Sequence, residues 1–145
     1  MQQVYRRGQK AMKHARQTEN PHLLHQWRKR VKYLWHQLQL LHLIWPQMMD
    51  PLAEEFHRLA DLLGEEHDLY VLVSEIEADT LLSGRMRGKS DLIAAIQSYR
   101  EALKMEYYPL GERLYQQKVS DFTRSLGVFW EIWRAEMPVL SPLHE

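Results

Sequence analysis

The stretch that decides the fold is His25-Gln26-Trp27-Arg28-Lys29-Arg30-Val31-Lys32, inside a long segment of helical periodicity. Side chains three, four and seven residues apart share one face of an α-helix. An apolar seam follows this spacing and consists of Leu24, Trp27, Val31, Leu34, Leu38 and Leu41. A neighbouring stripe of cationic or protonatable groups consists of His25, Arg28, Lys29 and Lys32. Because like charges repel, the stripe predicts a face that is either screened by solvent or bridged by an anion.

Outward from this helix, almost the whole chain has helical patterning, without the sustained alternation typical of strands. Capping and breaking signals predict six helices, over residues 3–17, 20–43, 50–64, 65–82, 90–108 and 120–136. Residues 83–90 form the clearest predicted loop, and residues 137–145 form a predicted tail. The predicted fold class is therefore all-α, an antiparallel helical bundle of about five to six helices with one core, forming a single domain over residues 1–145.

Individual residues set these boundaries. Ser90 and Ser120 are expected to cap the last two helices, Gly64 to end the third, and Pro109 with Gly111 to break or kink the fifth. Asn20-Pro21 and Asp50-Pro51 each combine a cap with a first-turn proline, so they are expected to start helices two and three. The predicted seam of the fourth helix is Leu69, Leu72, Val73 and Ile76.

Charge is distributed unevenly along the chain. Residues 1–42 hold nine lysines and arginines and a single acid, Glu19, which gives a net charge of +8. The remaining 10 basic and 18 acidic residues give −8, so the whole chain is neutral. The asymmetry favours an anionic partner for the first third, and the alternative is that basic helices pair with acidic ones inside the fold.

Composition excludes several classes. The chain has no cysteine, so it has neither disulfides nor thiolate chemistry, which fits a reducing cytoplasm. No apolar run reaches the length of a membrane span, and no apolar signal region follows the basic start. We therefore expect a cytoplasmic protein without a membrane partner.

Three acidic or glycine-rich motifs do not make a convincing catalytic or metal site. The loop from Gly84 to Ser90 has three residues between its glycines where a P-loop has four, and no strand precedes it, so a basic loop is the better interpretation. Residues 54–57 contain one Glu-x-x-His unit, but a second unit at residues 19–22 straddles a helix start, so no metal is expected. The acids of residues 65–68 are interpreted as favourable charges at a helix start, the alternative being that His67 or Asp68 orients a cation of the stripe.

A groove is expected where the first two helices pair. Tyr5-Arg6-Arg7-Gly8, Lys10, Lys13 and Arg16 would then lie beside the stripe of the second helix. Phosphate suits such a groove, because arginine binds it in a bidentate manner and lysine as a point charge. DNA or RNA would satisfy the same charge, but the acidic remainder of the chain disfavours a nucleic acid.

Four motifs in order resemble the CHAD family, the conserved histidine α-helical domain. They are Tyr5-Arg6-Arg7-Gly8, His25-x-x-Arg28-Lys29-x-x-Lys32, Leu63-Gly64-x-x-His67-Asp68-x-x-Val71-Leu72, and Phe122-x-Arg124-x-Leu126 with Trp130 and Trp133. The resemblance implies an all-helical domain of two related bundles around a basic cavity that binds inorganic polyphosphate, without catalysis of its own. This chain is similar to one half of it, the C-terminal half, which implies a fragment or a homodimer that rebuilds the cavity.

The resemblance also implies a set of binding residues. The polyphosphate-binding candidates are Arg6, Arg7, Lys10, His25, Arg28, Lys29, Lys32, Lys118 and Arg124, while Tyr5, Asp68 and Trp130 are expected to support the fold. No cofactor and no catalytic residue are assigned. Two alternatives stay open: a helical protein that binds an acidic protein or RNA, and a phosphohydrolase in which Glu65, Glu66 and Asp68 hold a divalent metal.

Overall fold

Helices make up the fold of the protein, and the structure, a computed structural model, describes residues 1–79 and 87–137. This part of the chain contains α1 (Gln2–Thr18), α2 (Pro21–Leu40), a short 3-10 helix (His42–Ile44), α3 (Pro46–Ala78), α4 (Lys89–Leu114) and α5 (Val119–Glu136). These elements confirm the predicted all-α bundle, and the described residues include no strand. None of the described helices is long and apolar enough to cross a membrane.

The central element is an antiparallel hairpin of α2 and α3. Along α2, His25 lies against His67, Arg28 bonds to Ala60, and further on Trp35 stacks on His57. Residue numbers rise along one helix as they fall along the other, so the two helices run in opposite directions. Helix α1 packs on α2 and α4 packs on α3, while α5 lies against α1 and the 3-10 helix.

The apolar seam predicted for α2 forms the core. Its first five members, Leu24 through Leu38, are buried, and Leu41 is partly buried. Trp27 is completely buried and stacks on Tyr108 of α4, with the ring centroids 5.6 Å apart. A Cβ at Gly111 would lie 2.6 Å from this indole, so the glycine allows α4 to approach it closely.

Three predicted helix boundaries are wrong, because α3 continues through one predicted start and one predicted end, and α4 continues through a predicted end. Helix α3 passes through both Pro51 and Gly64, so residues 50–64 and 65–82 are not separate helices. Helix α4 likewise continues through Pro109 and Gly111 to Leu114. Pro51 and Pro109 are both exposed, so water can hydrate the carbonyl that each leaves without an intrahelical partner.

Smaller predictions at the helix ends also change. The first helix agrees with the predicted range to within one residue at each end, whereas the second ends at Leu40. Helix α4 starts after Gly88, which has a left-handed backbone (φ 91°), and Lys118 precedes α5, so neither Ser90 nor Ser120 is a cap. The parts of the predicted loop and tail at residues 83–86 and 138–145 lie outside the described residues.

The predicted seam beyond Gly64 is correct in part. Val73 and Ile76 are buried against Ile96 of α4, and Leu69 packs beside them. Leu72 instead is 47% exposed. These residues form a second, smaller apolar cluster that joins α3 to α4.

Candidate functional site: a basic face between α2 and α3

Arg28 is fixed on the side of α2 that faces α3. Its Nε donates a hydrogen bond to the backbone oxygen of Ala60 at 3.2 Å. A Cβ at Gly64 would lie 3.0 Å from both Nε and Nη2 of Arg28, so the guanidinium occupies the space that a side chain at position 64 would need. The lack of a side chain at Gly64 therefore leaves room for the guanidinium of Arg28 to pack against α3. Gly64 is not the helix end that the sequence predicted.

His25 lies one turn earlier on the same side of α2. Its ring centroid is 4.9 Å from that of His67 on α3, and its Nδ1 is buried without a hydrogen-bond partner among the described residues. Burial lowers the pKa of His25, and the charges of His67, Lys29 and Arg28 lower it further. The imidazole is therefore held in its neutral form in the absence of an anion.

Lys29 and Lys32 complete the stripe of α2. Lys29 is exposed on the outer side of the helix, four residues after His25, and its charge is among those that lower the His25 pKa. Lys32 is partly exposed one turn beyond Arg28. We call His25, Arg28, Lys29, Lys32 and His67 the α2–α3 basic face. His67 was considered only as an orienting residue in the sequence, and its place in the motif after Gly64 was the signal for it.

The cations of α1 and α2 are largely free of acidic partners. Of their nine lysines and arginines, Arg16 alone forms an ion pair within the described residues, with Glu112 of α4. The acidic helices instead pair with cations of their own or of each other, as in Arg100–Glu66 and Arg58–Glu106. The alternative in which basic helices pair with acidic ones inside the fold is therefore wrong for the described residues, apart from Arg16.

Helix α1 meets a different side of α2 from the one that the stripe occupies. The groove between the two helices encloses about 300 Å³. Its lining residues are Arg7, Lys10, Ala11, His14, Leu23, Gln26 and Arg30, and we call it the α1–α2 groove. The prediction that the α1 cations lie beside the stripe is therefore wrong: a groove exists between α1 and α2, but Arg30, which is not a member of the stripe, is the cation that α2 contributes to it. Arg6 is exposed on α1 and does not line this groove.

Lys118 and Arg124 are not brought to either basic surface by a described contact. Lys118 is the residue before α5, and Arg124 is exposed on that helix. Helix α5 packs on α1 through Tyr5 and Phe122, whose rings stack at 4.1 Å. Tyr5 is fully buried and donates to the Leu114 carbonyl at 3.0 Å, which fits its expected structural role.

The other two expected support residues are not part of the buried core. Asp68 is exposed, and Trp130 is 41% exposed, with Trp133 as its aromatic neighbour at 5.2 Å. Asp68 also makes no ion pair with the α2–α3 basic face in the described part of the chain. Of the two residues considered as orienting a cation, His67 is the one that contacts the stripe.

Two of the three acids of the phosphohydrolase alternative, Glu65 and Glu66, are bonded to α4. Glu66 is 4% exposed and accepts two hydrogen bonds at one oxygen from Arg100, at 2.6 and 3.0 Å. Glu65 accepts one from Tyr99. The described residues contain no group of three histidines, aspartates or glutamates arranged to hold a metal ion. Residues 65–68 lie in the middle of α3, so the interpretation as charges at a helix start is wrong as well.

His57, the histidine of the Glu-x-x-His unit, packs flat against Trp35. The two ring centroids are 4.1 Å apart with a 12° angle between the planes. Its nitrogens lie 3.9 Å from Glu54 and 3.5 Å from Asp61, both on the same helix. The side chain thus belongs to the surface where α2 and α3 meet.

Comparison with known protein families identifies the class of protein. The CHAD domain matches residues 1–77, a range that covers α1, α2 and all but the last residue of α3. The match spans more than half of the chain, and this protein belongs to the CHAD family. CHAD is a family of polyphosphate-binding domains. Searches of curated proteins and of solved structures gave no match.

The matched range includes both basic surfaces. Every member of the α2–α3 basic face and of the α1–α2 groove lies within residues 1–77, whereas Lys118 and Arg124 lie outside it. The comparison therefore covers the helices that form both basic surfaces.

Proposed function

We propose that this chain binds inorganic polyphosphate through the α2–α3 basic face and has no catalytic activity of its own. The observation that carries the proposal is the cluster of His25, Arg28, Lys29 and Lys32 on one helix, with no carboxylate paired to any of them in the described residues. A polyanion would neutralise their mutual repulsion, and the family to which the chain belongs binds such a polyanion.

Arg28 is suited to hold a phosphate group. Its Nε is occupied by the Ala60 carbonyl, which fixes the plane of the guanidinium before a ligand arrives. The remaining N–H donors form the fork that matches two phosphate oxygens, and no described acid competes for them. Lys29 and Lys32 would act as point charges along the same polyanion.

His25 would couple binding to pH. Its pKa is lowered in the free protein, so the ring carries no charge near neutral pH. A bound polyanion would favour the protonated ring and raise that pKa. By linkage, affinity should increase as pH falls through the range in which the bound ring is protonated and the free ring is not.

The remaining candidates extend this site. Arg6, Arg7 and Lys10 on α1 are proposed as further contacts of a long chain. Lys118, just before α5, and Arg124, on α5, stay candidates, but a polyanion would have to extend beyond the surfaces described above to reach them. The proposal predicts smaller losses for these two than for the cations of α2.

The test is calorimetric titration with long-chain polyphosphate at two salt concentrations. Lys29→Gln should weaken binding by about five- to tenfold at low salt and reduce the slope of log affinity against log salt by roughly one. Arg134→Gln removes the same charge from an exposed site on α5 and is the matched control, with an effect expected within twofold. Equal losses in both variants would mean that net charge alone attracts the ligand.

Two other functions would be indicated by different results, one in a competition experiment and one in a phosphate-release assay. Binding of an acidic protein or RNA that excess polyphosphate does not displace would replace the proposal with a helical interaction protein. Metal-dependent release of phosphate, lost in Asp68→Asn, would indicate the phosphohydrolase. We also keep the predictions of a homodimer and of a cytoplasmic location. Light scattering tests the homodimer, and a monomer at high micromolar concentration would overturn it.

A further inference from the structure

The α1–α2 groove differs in its charge balance from another charged pocket among the described residues. Its polar lining is cationic or neutral, with Arg7, Lys10 and Arg30 beside His14 and Gln26, and no acid lines it. A second pocket, between α4 and the start of α2, also holds two cations, Arg100 and Lys104. In that pocket Glu66 and Glu19 pair with them, so its charges are already neutralised.

The cations of the groove have no such partners in the described part of the chain. Arg30 instead lies over the ring of Tyr33, with its guanidinium carbon 5.9 Å from the ring centroid. This contact holds the guanidinium beside the groove without removing its charge. Ala11 and Leu23 are the apolar side chains of the lining, and both are partly buried at the contact between α1 and α2.

Helical geometry relates the groove to the α2–α3 basic face. Gln26 and Arg30 point towards α1, whereas His25 and Arg28 point towards α3. Each residue turns the helix by about 100°, so exposed Lys29 lies on the outer ridge of α2 between the two sides. Basic groups thus extend around the outer half of α2 from one surface to the other.

We propose that the α1–α2 groove is a second polyphosphate subsite, anchored by Arg30, Arg7 and Lys10, and that a long chain crosses the ridge at Lys29 to occupy both surfaces. This inference rests on the proposed function of the α2–α3 basic face. Helix α2 is about 10–12 Å across with its side chains, so tripolyphosphate occupies one surface at a time and a long chain occupies both. Occupying the second surface is then an intramolecular step, which raises the affinity for long chains.

Chain length supplies the affinity test. Arg30→Gln combined with Lys10→Gln should weaken binding of long-chain polyphosphate at least tenfold at low salt, because one of two linked contacts is lost. Binding of tripolyphosphate at the α2–α3 basic face should change by less than threefold. The control replaces Arg134 and Arg113 by glutamine, which removes two positive charges from exposed positions of α5 and α4.

His14 supplies a readout inside the groove that does not depend on overall affinity. Its ring signal in a proton–carbon NMR spectrum should move on titration with long-chain polyphosphate, together with that of His25. In the Arg30→Gln/Lys10→Gln variant, the His25 signal should still move while the His14 signal stays in place. An Arg28→Gln/Lys32→Gln variant should show the reverse preference.

The outcomes separate this inference from the proposed function. A wild-type protein in which His25 moves and His14 does not, with equal affinity in the groove variant, would overturn the second subsite and leave the first. A wild-type protein that binds no long-chain polyphosphate at all would overturn both. Equal losses in the groove variant and in the control would also overturn the subsite, because they would reflect net charge.

Discussion

Replacing Gly64 by alanine fills the space that the guanidinium of Arg28 occupies against α3, and it changes no charge. Alanine in a helix interior is more favourable than glycine by about 0.5–1 kcal/mol. Against this gain, the new Cβ would lie 3.0 Å from the guanidinium, which has to shift by a few tenths of an ångström. We expect this shift to break its hydrogen bond to Ala60, which is already 3.2 Å long, at a cost of about 1–1.5 kcal/mol. The expected change in the free energy of unfolding is therefore between about zero and 1 kcal/mol of destabilisation.

Gly127→Ala is the matched control. Gly127 is also inside a helix, α5, and a Cβ there would meet nothing within 4 Å. This variant should gain the full helical preference and raise Tm by roughly 2–4 °C. The difference between the two variants, measured by thermal unfolding, isolates the cost of displacing Arg28.

The same substitution has a consequence for binding. A displaced guanidinium no longer aims its donors at the ligand, so Gly64→Ala should weaken polyphosphate binding by about tenfold at low salt, equivalent to ~1.4 kcal/mol. In an Arg28→Gln background, Gly64→Ala should have no further effect on affinity. Two results would contradict the role of Gly64 in positioning Arg28. One is that Gly64→Ala stabilises as much as Gly127→Ala does, and the other is that its effect on affinity persists in the Arg28→Gln background.

Three further predictions concern pH, the buried ion pair and the core. The pKa of His25 in the folded protein lies below 6.5, the ordinary value for histidine in an unfolded chain. The free protein should therefore lose stability as pH falls from 6.5 to the folded pKa, because the unfolded chain binds more protons in that range. His25→Gln should flatten that part of a Tm–pH curve. Over the same range polyphosphate affinity should rise, and calorimetry at pH 8 and pH 6 that shows equal affinities would contradict this. Glu66→Ala should destabilise by about 1–3 kcal/mol in urea unfolding, because Arg100, which is partly buried and also bonds to Gln97, loses its charged partner, and polyphosphate binding of the folded variant should be unchanged. Gly111→Ala should cost about 1–3 kcal/mol, because Trp27 is packed too tightly to move; a Tm equal to that of the wild type would show that α4 shifts freely.

Local pattern predicted most of the fold because the apolar seam of α2 is long and regular. Trp27 and the leucines that follow it are buried as the spacing required. The errors arose at Pro51, where a local signal for a helix start was overridden, and at Gly64 and Pro109, where signals for a helix end were overridden. A helix can continue through a proline on its exposed side, and tertiary packing decides whether it does.

The candidate site was predictable only where it lies on one helix. The spacing of His25, Arg28, Lys29 and Lys32 places them together on any helix that includes residues 25–32. Three features depend on how α1 and α3 pack against α2. They are the contact of His67 with His25, the space for Arg28 at Gly64, and the position of Arg30 in the α1–α2 groove. Sequence spacing along a single helix carries no information about that packing.

Trp35 provides the face between α2 and α3 with an optical signal of its own. Its indole lies between two imidazoles, stacked on His57 at 4.1 Å and on His36 at 4.5 Å. Protonation of either ring would place a cation against the indole, and that contact changes the electronic environment of the fluorophore. The emission of Trp35 should therefore report events on this surface, and in a protein with phenylalanine at the other four tryptophan positions it would allow ligand binding to be followed by stopped-flow fluorescence without any added label.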